Sequence, residues 1–112
     1  MSAKTVWGTI DGNFTLEAAE RFFQTFDAAL GAGAPVCVII DCRTMEDYTA
    51  EARNAFVDWM MRRRHDIAKV GIVTPKTVWH MAISTMSLVS GVPMRGFASP
   101  TEAEQYVSGE AG

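Results

Sequence analysis

The sequence is poor in the residues that build covalent and metal centres. Its 112 residues include two cysteines and two histidines. Cys37 lies inside an apolar run and Cys42 just after it, a placement that keeps their sulfurs apart, so we predict no disulfide. No cysteine or histidine has the spacing of a metal site. We therefore expect neither metal nor cofactor, and we interpret Cys37 as a small buried hydrophobe.

Long apolar runs and excess basic charge are missing as well. No run approaches the roughly 18 apolar residues of a membrane-spanning helix, and residues 1–5 lack the pattern of a cleaved leader, so we expect a cytoplasmic protein. The net charge of −3 disfavours nucleic acid as the main partner. The basic run Arg62–Arg64 is interpreted as a solvated helix end, with an acidic partner or phosphate as the alternative.

What is present is a regular alternation of strand and helix signals. The apolar run Val36–Ile40 ends at Asp41 and is typical of a strand covered on both faces. The length suits one domain over residues 1–112. The alternation predicts an α/β fold, with a mostly parallel sheet of four to five strands and helices packed on it. Further strands are predicted at 4–10, 68–73 and 94–98, and helices at 16–30, 49–65, 76–89 and from 100 onward.

Helical spacing also predicts which faces of two helices are buried. Thr49 is the expected cap of the second helix, and Thr74 with Pro75 is expected to start the third. The buried stripe of the second helix is predicted to contain Ala52, Phe56, Trp59 and Met60. That of the third is predicted to contain Val78, Met81, Ala82, Thr85, Met86 and Val89, with Trp79 beside it.

The carboxyl end of the buried strand is the candidate functional edge. Asp41 is followed by a polar stretch, residues 42–48, which we predict to be a loop, and then by a helix start. In open α/β sheets this edge faces ligands or partners. We expect the start of the third helix to lie there too. The candidate partner-binding or regulatory residues are Asp41, Tyr48, Thr49, Glu51, Arg53, Lys76 and Trp79.

Acidic residues are the main catalytic candidates near this edge, besides a reactive role for Cys42 at the strand end and His80 in the third helix. Asp41, Glu46, Asp47 and Glu51 are carboxylates of the kind that perform acid–base work. However, no nucleophile with a base and an orienting group can be found, and no glycine-rich phosphate loop is present. We therefore predict that the protein is not an enzyme and has no catalytic residues.

Several stretches carry a resemblance to a known family. They are the Asp41 strand end with its connection into residues 49–53, the segment 67–73 and the segment 95–103. Together with the strand–helix order, they resemble the SpoIIAA-like proteins, which join STAS domains with CRAL-TRIO-type lipid-binding domains. The resemblance implies a four-turn βα superhelix. It also implies a STAS-type regulatory module that binds a protein partner, such as a kinase or sigma-factor regulator, through residues 41–53.

The sequence departs from the family pattern at the position that is phosphorylated in STAS proteins. STAS proteins of the anti-sigma-factor antagonist type are switched by phosphorylation of a serine at the start of the second helix. In an ungapped comparison Glu51 falls on that serine, so a fixed negative charge stands at a helix N-terminus that favours it. Thr49 is expected to cap the helix, because a phosphate there would meet the acidic side chains around it.

Two alternatives stay open. The CRAL-TRIO side of the resemblance implies a small apolar ligand or lipid, and the chain has seven methionines and three tryptophans that can line such a site. Self-association is the other alternative, through an isologous contact of Trp7 and Trp79 that would make a homodimer.

Overall fold

Strands and helices alternate along the chain in the computed structural model, which describes residues 4–30 and 35–109. Those residues form six strands and four helices. The elements are β1 (Thr5–Thr9), β2 (Gly12–Phe14), α1 (Leu16–Leu30), β3 (Val36–Asp41), β4 (Met45–Tyr48), α2 (Ala50–Arg62), β5 (Ile67–Val73), α3 (Thr77–Ser90), β6 (Met94–Phe97) and α4 (Pro100–Ser108).

Four of the strands form the main sheet. Their order is β1-β3-β5-β6, and every neighbouring pair is parallel. The two central strands carry the continuous apolar runs: all of Val36–Ile40 is buried in β3 and all of Val70–Val73 in β5. A strand with helices on both faces is buried on both faces, which explains these runs. The α/β fold with a mostly parallel sheet is confirmed.

The segment predicted to be a polar loop contains a strand. β4 pairs in parallel with β2 and forms a small second sheet. Gly12 N donates to the Thr44 carbonyl (3.0 Å), and Thr49 N donates to the Phe14 carbonyl (3.1 Å). The loop prediction was wrong for Met45–Tyr48, because the strand pairs with distant residues and only Met45 in it is fully buried. No local apolar pattern could indicate it.

Helices α1, α2 and α3 cover one face of the main sheet. Aromatic side chains of α1 and α2 pack there on Val38 and Ile40 of β3, and they continue the core to Val70 and Ile72 of β5. Helix α1 can pack closely on β1 only because residue 8 is glycine, since a Cβ at Gly8 would lie 2.4 Å from the Phe26 ring. The predicted buried stripe of α2 is confirmed: Ala52, Phe56, Trp59 and Met60 are all buried.

Helix α4 covers the opposite face. Ile39, Val73 and Ala103 form a second, smaller core there. The start of α4 agrees with the helix predicted from residue 100 onward. Ser99 caps it by accepting a hydrogen bond from Glu102 N (3.3 Å), and Pro100 occupies the first turn.

The orientation of α3 differs from the predicted one. Its buried residues are Ile83 and Ser90, whereas Val78, Met81 and Val89 of the predicted stripe are 70%, 75% and 59% exposed. Residues 77–90 contain no Asp, Glu, Lys or Arg. Large apolar residues lie on its exposed side as well as its buried side, and so the pattern alone did not define one buried face.

The start of α3 also differs. The helix begins at Thr77 with Lys76 as its N-cap, and Thr74 instead accepts a hydrogen bond from Lys76 N (3.2 Å) in the preceding turn. Thr74 and Pro75 therefore lie before the helix, and Thr74 is completely buried at the end of β5.

Candidate binding site

An apolar cavity lies at the carboxyl ends of the central strands. It is about 70 Å³ in volume, is partly open to solvent, and is bordered by the main sheet, the β2–β4 sheet, α2 and α3. Its position agrees with the general location of ligand sites in open α/β sheets. The side chains that line it are mostly aliphatic, aromatic or sulfur-containing. They are Ile10, Phe14, Ile40, Cys42, Met45, Tyr48, Arg53, Phe56, Ile72, Thr74, Trp79, Ala82, Ile83 and Met86.

An aromatic pair joins the second sheet to α3 beside the cavity. The rings of Tyr48 and Trp79 meet edge to face with their centroids 5.6 Å apart. Lys76 holds this contact in place: its Nζ lies 4.1 Å from the centre of the Trp79 ring and donates to the Glu46 carbonyl (2.7 Å). A cation over an aromatic face is attracted by the ring quadrupole. The turn before α3 is thereby tied to β4.

The polar groups in the cavity wall are nearly all satisfied within the fold. The Thr74 carbonyl lies 3.0 Å from His80 Nε2. Burial raises the pKa of the Cys42 thiol to about 12, and the neighbouring Asp41 carboxylate adds to the effect. The thiol is therefore protonated at neutral pH and is a poor nucleophile.

Arg53 is the cationic side chain in the lining. It projects from the first turns of α2 and is exposed. Within residues 4–30 and 35–109 its guanidinium takes part in none of the ion pairs, which involve Arg21, Arg43 and Arg63. The positive charge of Arg53 therefore lies at the edge of an apolar cavity and is solvated.

Asp41 is occupied by a local ion pair. Its carboxylate accepts hydrogen bonds from Arg43 Nη2 (2.8 Å) and from the Arg43 backbone N (3.0 Å). The Arg43 guanidinium holds the pKa of Asp41 below its usual value, although partial burial opposes this. The group stays ionised, and its geometry stabilises the turn after β3.

The start of α2 is capped as predicted. Thr49 has an extended backbone, and its Oγ1 accepts a hydrogen bond from Ala52 N (3.1 Å). Glu51 is exposed in the first turn, where a negative charge suits the partial positive charge of the helix end. Thr49 is therefore the N-cap of α2.

The family follows from a comparison with known proteins. A family model described as SpoIIAA-like matches residues 5–108. The chain belongs to the SpoIIAA-like family. The fold of this SpoIIAA-like chain is also similar to the crystal structure of an uncharacterised protein from the DUF3478 family with a SpoIIAA-like fold, from Shewanella loihica PV-4. The TM-score is 0.73 at 15% identity, over 88% of this chain and 80% of that one. The comparison with curated proteins gave no match.

The structure brings together only part of the predicted site. In this SpoIIAA-like chain Tyr48, Arg53 and Trp79 line the cavity, and Lys76 packs on the Trp79 ring. Asp41, Thr49 and Glu51 lie outside the lining. Sequence reasoning missed Met45, because the neighbouring acids hid its strand, and it missed Ile83, because the uncharged α3 did not show which side faces the sheet. Met86, which belonged to the predicted buried stripe of the third helix, does line the cavity.

In the described part of the SpoIIAA-like chain, no three His, Cys, Asp or Glu side chains gather closely enough to hold a metal ion. None of the helices in residues 4–30 and 35–109 combines the length and apolar character needed to cross a bilayer.

Proposed function

We propose that this chain is a non-catalytic binding protein that holds a small apolar molecule between its sheet and α3. The cavity at the strand ends is the observation that carries the proposal. Ligand sites in proteins are concave and mostly apolar, with a few polar groups that fix orientation. The cavity has this character, because one exposed arginine accompanies a wall of aliphatic, aromatic and sulfur-containing side chains.

The wall is suited to ligands of irregular shape. Met45 and Met86 lie in it, and methionine is flexible and polarisable enough to adapt to different apolar surfaces. Tyr48 and Trp79 add aromatic surface on the side of the second sheet. The protonated Cys42 thiol supports binding rather than chemistry, since a nucleophilic role requires a thiolate.

Arg53 indicates the class of ligand. A guanidinium binds carboxylates and phosphates well, and this one lines the cavity without an ion-pair partner among the described residues. A molecule with an apolar body and an anionic end would place the body between Ile83 and Met86 and the charge near Arg53. A short-chain fatty acid is the simplest compound of this kind.

The test compares hexanoate with hexanol. Titration calorimetry on the full chain should detect hexanoate binding, and Ala82→Leu should weaken it at least about tenfold by filling the cavity. Ala28→Leu makes the same change at an exposed position of α1 and should leave binding unchanged. Arg53→Ala should weaken hexanoate binding and spare hexanol. Unchanged binding in Ala82→Leu, or no binding of either compound, would refute the proposal.

A second candidate function uses the outer side of the same rim. The side chains of Glu46, Asp47 and Glu51 are exposed next to the Thr49 cap, and so they form an acidic surface that suits a basic partner protein. This is the region in which the STAS resemblance implies a kinase or sigma-factor regulator. Glu46→Lys with Asp47→Lys should abolish capture of such a partner from lysate, while Glu20→Lys on α1 should not. Equal capture by both variants would contradict this candidate.

A further inference from the structure

The outer edge of β1 is an unpaired strand edge. β1 ends the order of the main sheet, and within the part of the chain that the structure describes no strand pairs with its outer side. Proteins protect such edges with proline, charged residues or bulges. Thr5–Thr9 contains no proline and no charge, and its pairing with β3 is regular. The edge is open to another strand.

The ladder with β3 decides which backbone groups face outward. At its two ends the Lys4 carbonyl accepts from Cys37 N (2.8 Å), and Ile10 N donates to the Asp41 carbonyl (3.0 Å). Alternate residues of a strand direct both backbone groups to the same side, so the even-numbered residues bond to β3. The outward N–H and C=O groups belong to Thr5, Trp7 and Thr9, whose side chains are all exposed.

We propose that a second copy of this chain pairs with this edge, β1 against β1 in antiparallel orientation, with the two-fold axis at Trp7. In that register Trp7 faces Trp7 of the partner subunit, and Thr5 faces the partner's Thr9. Facing residues whose backbone groups point toward each other exchange two hydrogen bonds. Three such pairs give six bonds and use every outward group of both strands. The contact is isologous, and it joins two four-stranded sheets into one.

Charge complementarity favours the antiparallel arrangement. Lys4 precedes β1 and Asp11 follows it, and both are exposed. In the register centred on Trp7, Lys4 lies opposite Ile10 of the partner subunit, one residue from the partner's Asp11. Symmetry produces this pair at both ends. Neither residue takes part in an ion pair within the described residues. Asp11 Oδ1 accepts a hydrogen bond from the Thr44 hydroxyl, which leaves its negative charge uncompensated.

Trp7 supplies the apolar centre of the contact. It lies beside Ile39 on the face covered by α4, but α4 packs on β3, β5 and β6, and the Trp7 side chain remains 48% exposed. Across the axis the two indole rings would be cross-strand neighbours, and aromatic pairs of this kind stabilise strand pairing. Trp79 faces the opposite side of the sheet and packs on Tyr48, so it contributes nothing to this dimer.

Sedimentation equilibrium of the full chain provides the first test. The chain should dimerise, and Trp7→Lys should raise the dimer dissociation constant at least about 30-fold, because it removes the ring pair and places two like charges at the axis. Leu88→Lys is the matched control. It introduces the same charge at the most exposed hydrophobic position of α3, where Leu88 is 86% exposed, and it should leave the constant unchanged. A monomer at all concentrations, or a dimer broken by Leu88→Lys and not by Trp7→Lys, overturns the proposal.

Charge reversal and amide exchange test the register. Lys4→Asp and Asp11→Lys should each raise the dissociation constant about 3- to 10-fold, and the double reversal should restore it. The amide hydrogens of Thr5, Trp7 and Thr9 should exchange more slowly as the protein concentration rises. A dimer in which these three amides stay unprotected, or a double reversal as weak as the single ones, would show that another surface pairs.

Discussion

Helices α1, α2 and α3 form one layer on the sheet, and the α1–α2 half of this layer is packed more completely than the α2–α3 half. Between α1 and α2 the rings of Phe23 and Trp59 stack with centroids 5.2 Å apart, and Phe22 meets Trp59 edge to face at 5.9 Å. Between α2 and α3 lies the cavity of about 70 Å³. Both halves cover the same face of the sheet, so the sheet itself is not the cause of the difference.

Polar contacts add to the contrast. Asp27 of α1 accepts a hydrogen bond from Trp59 Nε1 (2.8 Å) and forms an ion pair with Arg63 (2.8 Å). Arg63, the middle residue of the basic run Arg62–Arg64, therefore forms an ion pair within the fold. Helix α3 has no charged side chain from an acid, lysine or arginine and forms no comparable link to α2. The chain concentrates stabilising contacts in one half and leaves space in the other, where we propose that a ligand binds.

Replacing a tryptophan in each half should give the largest contrast. Trp59→Ala should lower the free energy of unfolding by about 3–5 kcal/mol, because it opens a cavity in a closely packed aromatic cluster. Trp79→Ala should cost only about 1 kcal/mol, because that side chain is half-buried beside existing space. Urea denaturation of both variants measures the two values. Equal losses would show that the halves are equally packed.

Substitution of Gly96 on β6 tests how closely α3 packs on the sheet. A Cβ at Gly96 would lie 2.7 Å from His80 Cδ2, so Gly96→Ala should lower the free energy of unfolding by about 1–3 kcal/mol through overpacking. The double variant with His80→Ala should lose less than the sum of the two single variants, since the ring that clashes is gone. Additive losses in this double-mutant cycle would mean that the His80 ring does not limit the approach of α3.

The smallest expected effect concerns the turn that supports the site. The pKa of Asp41 is lowered in the folded state, so its contribution to stability is fully present above the unfolded value near 3.9 and is lost as pH falls through the folded pKa. Asp41→Asn should therefore be less stable than the original chain at pH 6, and this difference should shrink below about pH 4. Thermal unfolding across this range measures it.

Arg43→Ala serves as the matched background for that measurement. Without the guanidinium that lowers the pKa of Asp41, the Asp41→Asn substitution should have a much weaker pH dependence. A pH-dependent difference of the same size in both backgrounds would assign the effect to another group.

Local sequence signals were sufficient where one pattern had one explanation. The continuous apolar run in β3 predicted a strand covered on both faces, and the run in β5 predicted a further strand. The spacing of Phe56, Trp59 and Met60 predicted the buried side of α2. The helix predicted from residue 100 onward is observed as α4, with Ser99 as its N-cap. For the site, Tyr48, Arg53 and Trp79 were predicted as partner-binding or regulatory residues. They line the cavity, and their role stays a prediction.

The sequence by itself determined the order of the main strands and helices and their class, because hydrophobic periodicity and capping depend on near neighbours along the chain. Tertiary structure alone decided three features: the pairing of Met45–Tyr48 with Gly12–Phe14, the side of α3 that faces the sheet, and the cavity between them. Each depends on contacts between residues far apart in the chain. In α3 the lack of charge removed the local signal that would have distinguished inside from outside.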